Sequence, residues 1–191
     1  MSIKYTNRIG QKYYLHVGET KTGKPTYYFS LTAGGPLGES VPRGFDIYEN
    51  PDGQVFLRKI LPKLITDDEL VVVERELGRI ARLRGSRVER KLKVLTVYVA
   101  DLKEDWIEEL SRLAPCRPQA LMDDAPKQLW SYDAQLQFVL IDEKRRLFQP
   151  KRYCYLGRID DWIDIGERGS LLTLAKRYIR HLGHESYFEL F

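Results

Sequence analysis

The stretch "PKLITDDELVVVERELGRIARLRGSRVERKLKVLTVYVAD", residues 62–101, decides the fold, because its apolar period changes partway along. Thr66 stands three residues before Glu69, the spacing of a capping box, and Asp67 and Asp68 suit the positive end of a helix dipole. Leu70, Val73, Leu77 and Ile80 then recur at helical spacing. This predicts a helix that starts after Thr66 and is ended by Gly85. "VERKLKVLTVYVAD" reads as one strand, with Leu92, Val94, Thr96 and Tyr98 on one face and Val97 and Val99 on the other.

Strand patterns lie on both sides of that stretch. Upstream, "KYYLHVGE" and "PTYYFSL" flank "TKTGK" and predict a hairpin whose second strand is opened by Pro25. "AGGPLGESVPRG", residues 33–44, reads as a mobile loop. "FDIYE" and "VFLRKI" are joined by "NPDGQ", where Pro51 fixes one φ and Gly53 accepts a positive one, so a second hairpin is predicted. Downstream, Asp101 is expected to cap a helix over residues 102–113 with Trp106, Ile107 and Leu110 inward, followed by a loop, "PCRPQALMDDAPKQ". "LWSYDAQLQFVLIDE" and "LFQPKRYCYL" predict a long hairpin around "KRR", and "GRIDDWIDIGERG" reads as a solvated acidic loop holding Asp160, Asp161 and Asp164. Ser170 is expected to cap a last helix whose buried stripe is Leu171, Leu174, Ala175, Tyr178 and Leu182. The fold class is therefore α+β: antiparallel β meanders at both ends of the chain, with two to three helices packed against them. The organisation is an N-terminal β-rich module over 1–64 and an α+β module over 65–191, or one continuous domain.

The segment from "YYLH" through "KTGKP" and "YYFS" to "IYENPDGQVFLRK" resembles a group of small uncharacterised prokaryotic proteins, and the ending "HLGHESYFEL" is similar to the tail of the same group. The resemblance implies a recurring domain. No activity is attached to that group, so it implies no function.

Composition is that of a globular protein: 43% apolar and 30% charged residues, with twelve Tyr and three Trp arguing against disorder. The N-terminus has no apolar core of a signal peptide, and no apolar run approaches the ~20 residues that span a bilayer. A cytoplasmic protein is expected, with Cys116 and Cys154 as reduced thiols. No membrane partner and no cofactor are expected.

Charge is concentrated. The segment "RIARLRGSRVERKLK", residues 79–93, carries +6, while the rest of the chain sums to −2. Arg75, Arg79 and Arg82 share one face of the expected helix, and Arg84, Arg87, Arg90, Lys91 and Lys93 continue into the strand. Arginine outnumbers lysine in the segment by five to two, which suits the two-pronged recognition of phosphate. The strip is expected to be exposed throughout, so reversing Arg79, Arg82 and Arg87 should leave the fold intact. On the first hairpin, alternation sets Lys12, Tyr14 and His16 with Thr26, Tyr28 and Ser30 on one face, overhung by Lys21 and Lys24, a mixture suited to stacking on bases. The leading expectation is a non-enzymatic, nucleic-acid-associated protein that grips the phosphate backbone. The alternative is an interaction or regulatory module for an acidic protein surface.

A third reading is a metal-dependent nuclease. Asp133, Asp142 and Lys144 in "YDAQLQFVLIDEK" match the pattern of an acidic residue, an apolar strand and D-x-K, in which two carboxylates hold Mg²⁺ and the lysine activates water. Against it, the D-x-K falls at an expected hairpin turn. His181 and His184 lack a third metal ligand, and Gly183 between them marks a helix end. "AGGPLG" lacks the Gly-Lys-Ser/Thr ending of a nucleotide-cradling loop.

Overall fold

The computed structural model describes residues 2–102 and 129–190. The helix expected to begin at 102, the loop after it and Cys116 lie outside the described residues. The chain divides into two compact units, one built on the segment up to Ile60 and the other beginning at Leu61.

In the first unit, β1 (Lys4–Thr6), β2 (Lys12–Glu19) and β3 (Pro25–Ser30) form an antiparallel sheet in that order, and β4 (Phe45–Glu49) pairs with β5 (Val55–Lys59). The Asn-Pro-Asp-Gly turn closes as its residues dictate, with Gly53 at φ +83°. Polar contacts tie the two hairpins together. The buried Asn7 donates from Nδ2 to the Gly53 carbonyl at 2.6 Å, and Arg8 pairs with Glu49 at 2.9 Å. The loop over 33–44 is irregular, but its middle is fixed. Leu37 bridges to His16, and the Gly38 N–H donates to the Leu15 carbonyl at 2.8 Å. A Cβ on Gly38 would lie 2.9 Å from the buried Leu15 side chain, so the backbone approaches there as only glycine permits.

The second unit is a six-stranded antiparallel sheet whose main path runs β10-β9-β8-β7-β6. Its strands are β6 (Arg87–Lys91), β7 (Val94–Leu102), β8 (Trp130–Asp142), β9 (Leu147–Leu156), β10 (Ile159–Asp164) and the short β11 (Gly169–Ser170), which pairs with β9. Two helices, α1 (Asp67–Gly78) and α2 (Leu171–Tyr178), pack together over it. Val73, Leu77, Leu174 and Ala175 from the helices meet Leu95, Val97, Leu136, Phe138 and Phe148 from the sheet in one buried core. The class is α+β and mostly sheet.

The caps expected at Thr66 and Ser170 form. Thr66 accepts from the Glu69 N–H while the Glu69 carboxylate accepts from the Thr66 N–H, and Ser170 accepts from the Thr173 N–H. Glu69 also takes the guanidinium of Arg146, which joins the start of α1 to the β8–β9 turn. Burial would raise the Glu69 pKa, but the hydrogen bonds from Arg146 and Thr66 outweigh it and hold the carboxyl below its usual range.

Four expectations are corrected. The first helix ends at Gly78, not at Gly85. Ile80 turns extended, and Ala81–Leu83 forms a separate 3₁₀ turn that buries Leu83. The strand expected over 88–101 is two strands. Lys91 pairs with Val94 across a two-residue turn, Leu92–Lys93, in which Leu92 takes φ 51°. Leucine is rare at positive φ, so no turn residue marks the reversal. The acidic stretch is β10, in register with β9 from Ile159–Leu156 to Asp164–Lys151. Asp101, expected as a helix cap, lies within β7.

Proline sits inside β9 without breaking it. The Pro150 carbonyl accepts from the Ile165 N–H on the side where β10 has left and β11 has not begun, so the missing N–H points into a gap. Across the sheet, β8 bulges beside the Val97–Tyr98 step of β7. The carbonyl of the bulged Gln135 accepts from the Tyr187 hydroxyl, which burial pushes up to about 12.

Candidate functional site

The cations of the basic segment are exposed except for the half-buried Arg90, but several of them are also engaged by the fold. Arg75 and Arg79 stand at the end of α1 and both reach Glu76, at 3.8 Å and 2.7 Å. Glu76 is buried, so this pairing accommodates a carboxylate that would otherwise be costly. Arg82 has left the helix. From its 3₁₀ turn it donates through Nε to the Leu182 carbonyl at 2.9 Å and through Nη2 to the Arg180 carbonyl. Arg90 turns inward, donating to the Ile65 carbonyl at 3.0 Å and pairing with Asp67 at 2.7 Å. That hydrogen bond, with the charge of Lys63, holds the Asp67 carboxyl below its usual range. Arg84, Arg87, Lys91 and Lys93 are exposed, and the Arg87 guanidinium lies 5.9 Å from the Tyr132 ring centre.

The tertiary structure adds cations that the sequence reading did not assign to this surface. The C-terminal segment returns to the end of α1, with Arg82 bridging nearly 100 residues of sequence. This brings Arg177, Arg180, His181 and His184 into the same field. Arg180 donates through Nε to His181 Nε2 at 3.3 Å, and His181 Nδ1 lies 2.9 Å from Ser186 Oγ. An Nε2 that accepts belongs to a neutral ring protonated on Nδ1. Burial lowers the His181 pKa first, and the charges of Arg180, His184, Arg177 and Arg82 lower it further. Among the described residues, the groups whose charge acts on that ring are all basic.

A prediction follows for the His181 ring. By NMR titration it should release its proton below the ordinary histidine value of about 6.5, and Arg180→Ala should raise that midpoint. The folded state binds this proton less readily than the unfolded chain. As pH falls from about 6.5 to the folded midpoint this ring should therefore cost stability, with none lost to it above about 6.5.

On the first unit, the tyrosine face is partly closed. His16 is buried, with Nε2 against the Thr32 carbonyl at 2.9 Å, and Tyr28 stacks on it at 5.1 Å. Tyr14 is half-buried with the Lys4 ammonium 5.8 Å from its ring centre, while Lys21 and Lys24 are exposed in the turn. Tyr28, 51% exposed, is the ring most available for stacking on this face.

The nuclease constellation is not assembled. Asp133 and Asp142 lie on one strand, β8, nine residues apart, a separation of roughly 30 Å at ~3.3 Å per residue. Asp142 instead accepts the N–H groups of Lys144 and Arg145, closing the turn. Cys154 is a buried free thiol. Among the described residues, no three His, Cys, Asp or Glu side chains are placed to hold a metal ion, and no helix is long and apolar enough to cross a membrane. No protein-family model, curated protein or solved structure matches the chain.

Proposed function

We propose that this chain is a nucleic-acid-associated protein that grips the phosphate backbone and acts by binding rather than by catalysis. The surface is the outward part of the basic segment, Arg75, Arg79, Arg84, Arg87 and Lys91, together with Arg177 and Arg180 of the C-terminal segment. The observation that supports this reading is the convergence of cations from two distant stretches around His181, whose ring, among the described residues, feels charges from Arg180, Arg177 and Arg82 and from no carboxylate. Clustered guanidinium groups repel one another, and an anionic ligand relieves that repulsion. Arginine forks match phosphate oxygens, and each phosphate neutralised releases counterions. Arg82 and Arg90 belong to the scaffold that holds this surface.

The test is fluorescence anisotropy with labelled single- and double-stranded DNA and RNA at two salt concentrations. Wild-type affinity should fall log-linearly with salt. The triple variant Arg87→Glu, Arg177→Glu, Arg180→Glu should keep its fold, bind about tenfold or more weakly at low salt, and show a salt slope reduced by about 3, at ~0.9 per phosphate contact. An unchanged affinity and slope would move the surface to Tyr28 with Lys21 and Lys24. Equal binding to poly-glutamate would favour an acidic protein as the partner.

A further inference from the structure

At the opposite pole of charge, β9 and β10 form a hairpin whose far end is apolar and open. Tyr155 is 83% exposed, Leu156 71% and Phe188 68%, and all three line one groove of about 540 Å³ together with Tyr153 and Trp162. Large apolar side chains gathered at one exposed place on a folded protein mark a surface that another molecule covers. Tyr153 and Trp162, directly opposed across the two strands, pack edge to face at 5.3 Å, so the groove wall is formed in advance.

The hairpin also carries an available edge. β10 is the outermost strand of the sheet, and among the described residues no strand pairs with its outer side. Its six residues, "IDDWID", include three aspartates. Asp164 is answered by Lys151 at 2.9 Å. Asp160 takes the hydroxyl of Tyr153 and Asp161 takes the Trp162 N–H, and neither is paired with a cation among the described residues. The hydrogen bond from its hydroxyl to Asp160 is the main reason that the Tyr153 pKa is raised, and the charges of Asp160 and Asp161 push it the same way. Carboxylates on an edge strand discourage pairing with a second copy of the same edge, because that would add three more negative charges along it. They favour a strand of the opposite sign.

We infer that the β9–β10 hairpin docks an extended segment of another protein that carries lysine or arginine beside a bulky apolar side chain. The segment adds to β10 as a further strand, its cation meets Asp161, and its apolar side chain, on the opposite face, fills the groove beside Tyr155 and Phe188. Backbone pairing provides general affinity, and the alternating side chains provide selectivity.

The experiment uses the full chain and fluorescein-labelled ten-residue peptides. One alternates Leu and Arg, one alternates Leu and Glu, and one alternates Gly and Arg. The Leu–Arg peptide should bind, and the Leu–Glu and Gly–Arg peptides should bind at least tenfold more weakly. Tyr155→Ala, at a side chain too exposed to support the fold, and Asp161→Lys should each weaken Leu–Arg binding about tenfold. Hydrogen exchange should show new protection confined to residues 159–164. The inference is overturned if the Leu–Arg peptide fails to bind, if it binds both variants as tightly as wild type, if Gly–Arg binds equally well, or if protection appears elsewhere. It is also overturned if Tyr155→Ala weakens single-stranded RNA binding and leaves the peptide untouched, since the groove then belongs to nucleic acid.

Discussion

Arg82→Glu is expected to destabilise the second unit by about 1–3 kcal/mol, while Arg87→Glu, five positions on, should change stability by no more than about 0.5 kcal/mol. The two residues are indistinguishable in sequence context. Arg82, however, gives hydrogen bonds to the Leu182 and Arg180 carbonyls, and Gly183 lies close enough that a Cβ there would be 3.6 Å from the Arg82 side chain. A hydrogen bond from a charged donor is worth about 1.5–3 kcal/mol, and less here because Arg82 is itself exposed and water can take its place. Glutamate would also set a carboxylate against two carbonyl oxygens. Arg87 is exposed and lies 5.9 Å from one aromatic ring, a contact of small worth in water. The first 60 residues contain no tryptophan, so urea titration followed by tryptophan fluorescence reads the second unit alone. Equal midpoints for the two variants would show that Arg82 does not hold the C-terminal segment. A triple reversal that includes Arg82 therefore tests folding before it tests binding.

Arg152→Ala should cost more, about 3–5 kcal/mol. Arg152 is 4% exposed in the middle of β9. Its guanidinium donates to the carbonyls of Leu190 at 2.8 Å, Phe188 at 3.3 Å and Tyr153 at 3.4 Å, and it lies 5.9 Å from the Tyr187 ring centre. Truncation leaves those acceptors without the guanidinium and opens a cavity beneath the C-terminal turn. Arg152→Met separates the two costs. It restores most of the volume and none of the hydrogen bonds, so about half of the loss should remain. If Arg152→Met is as stable as wild type, the guanidinium contributes only bulk.

What was legible in the sequence had its cause within a few residues. Thr66 and Glu69 announce the start of α1, and Ser170 announces α2, because a cap is made between groups two or three positions apart. Gly53 and Pro51 announce the β4–β5 turn because a dihedral angle belongs to the residue itself. Where that chemistry was absent, the reading failed. Leu92–Lys93 is a turn without a turn residue, held by the pairing of Arg87–Lys91 with Val94–Tyr98. β10 looked like a loop because an edge strand exposed to water can be half aspartate and still pair with β9.

The sequence by itself determined the α+β class, the caps, three of the hairpins and the concentration of +6 within residues 79–93. Only the tertiary structure decided what each of those charges does. Arg82 and Arg90 are engaged by the fold because the carbonyls they reach lie 25 to 100 residues away in sequence. A guanidinium is engaged by the fold or left to solvent according to which acceptor the fold brings within about 3 Å of it. No local pattern of side chains contains that distance.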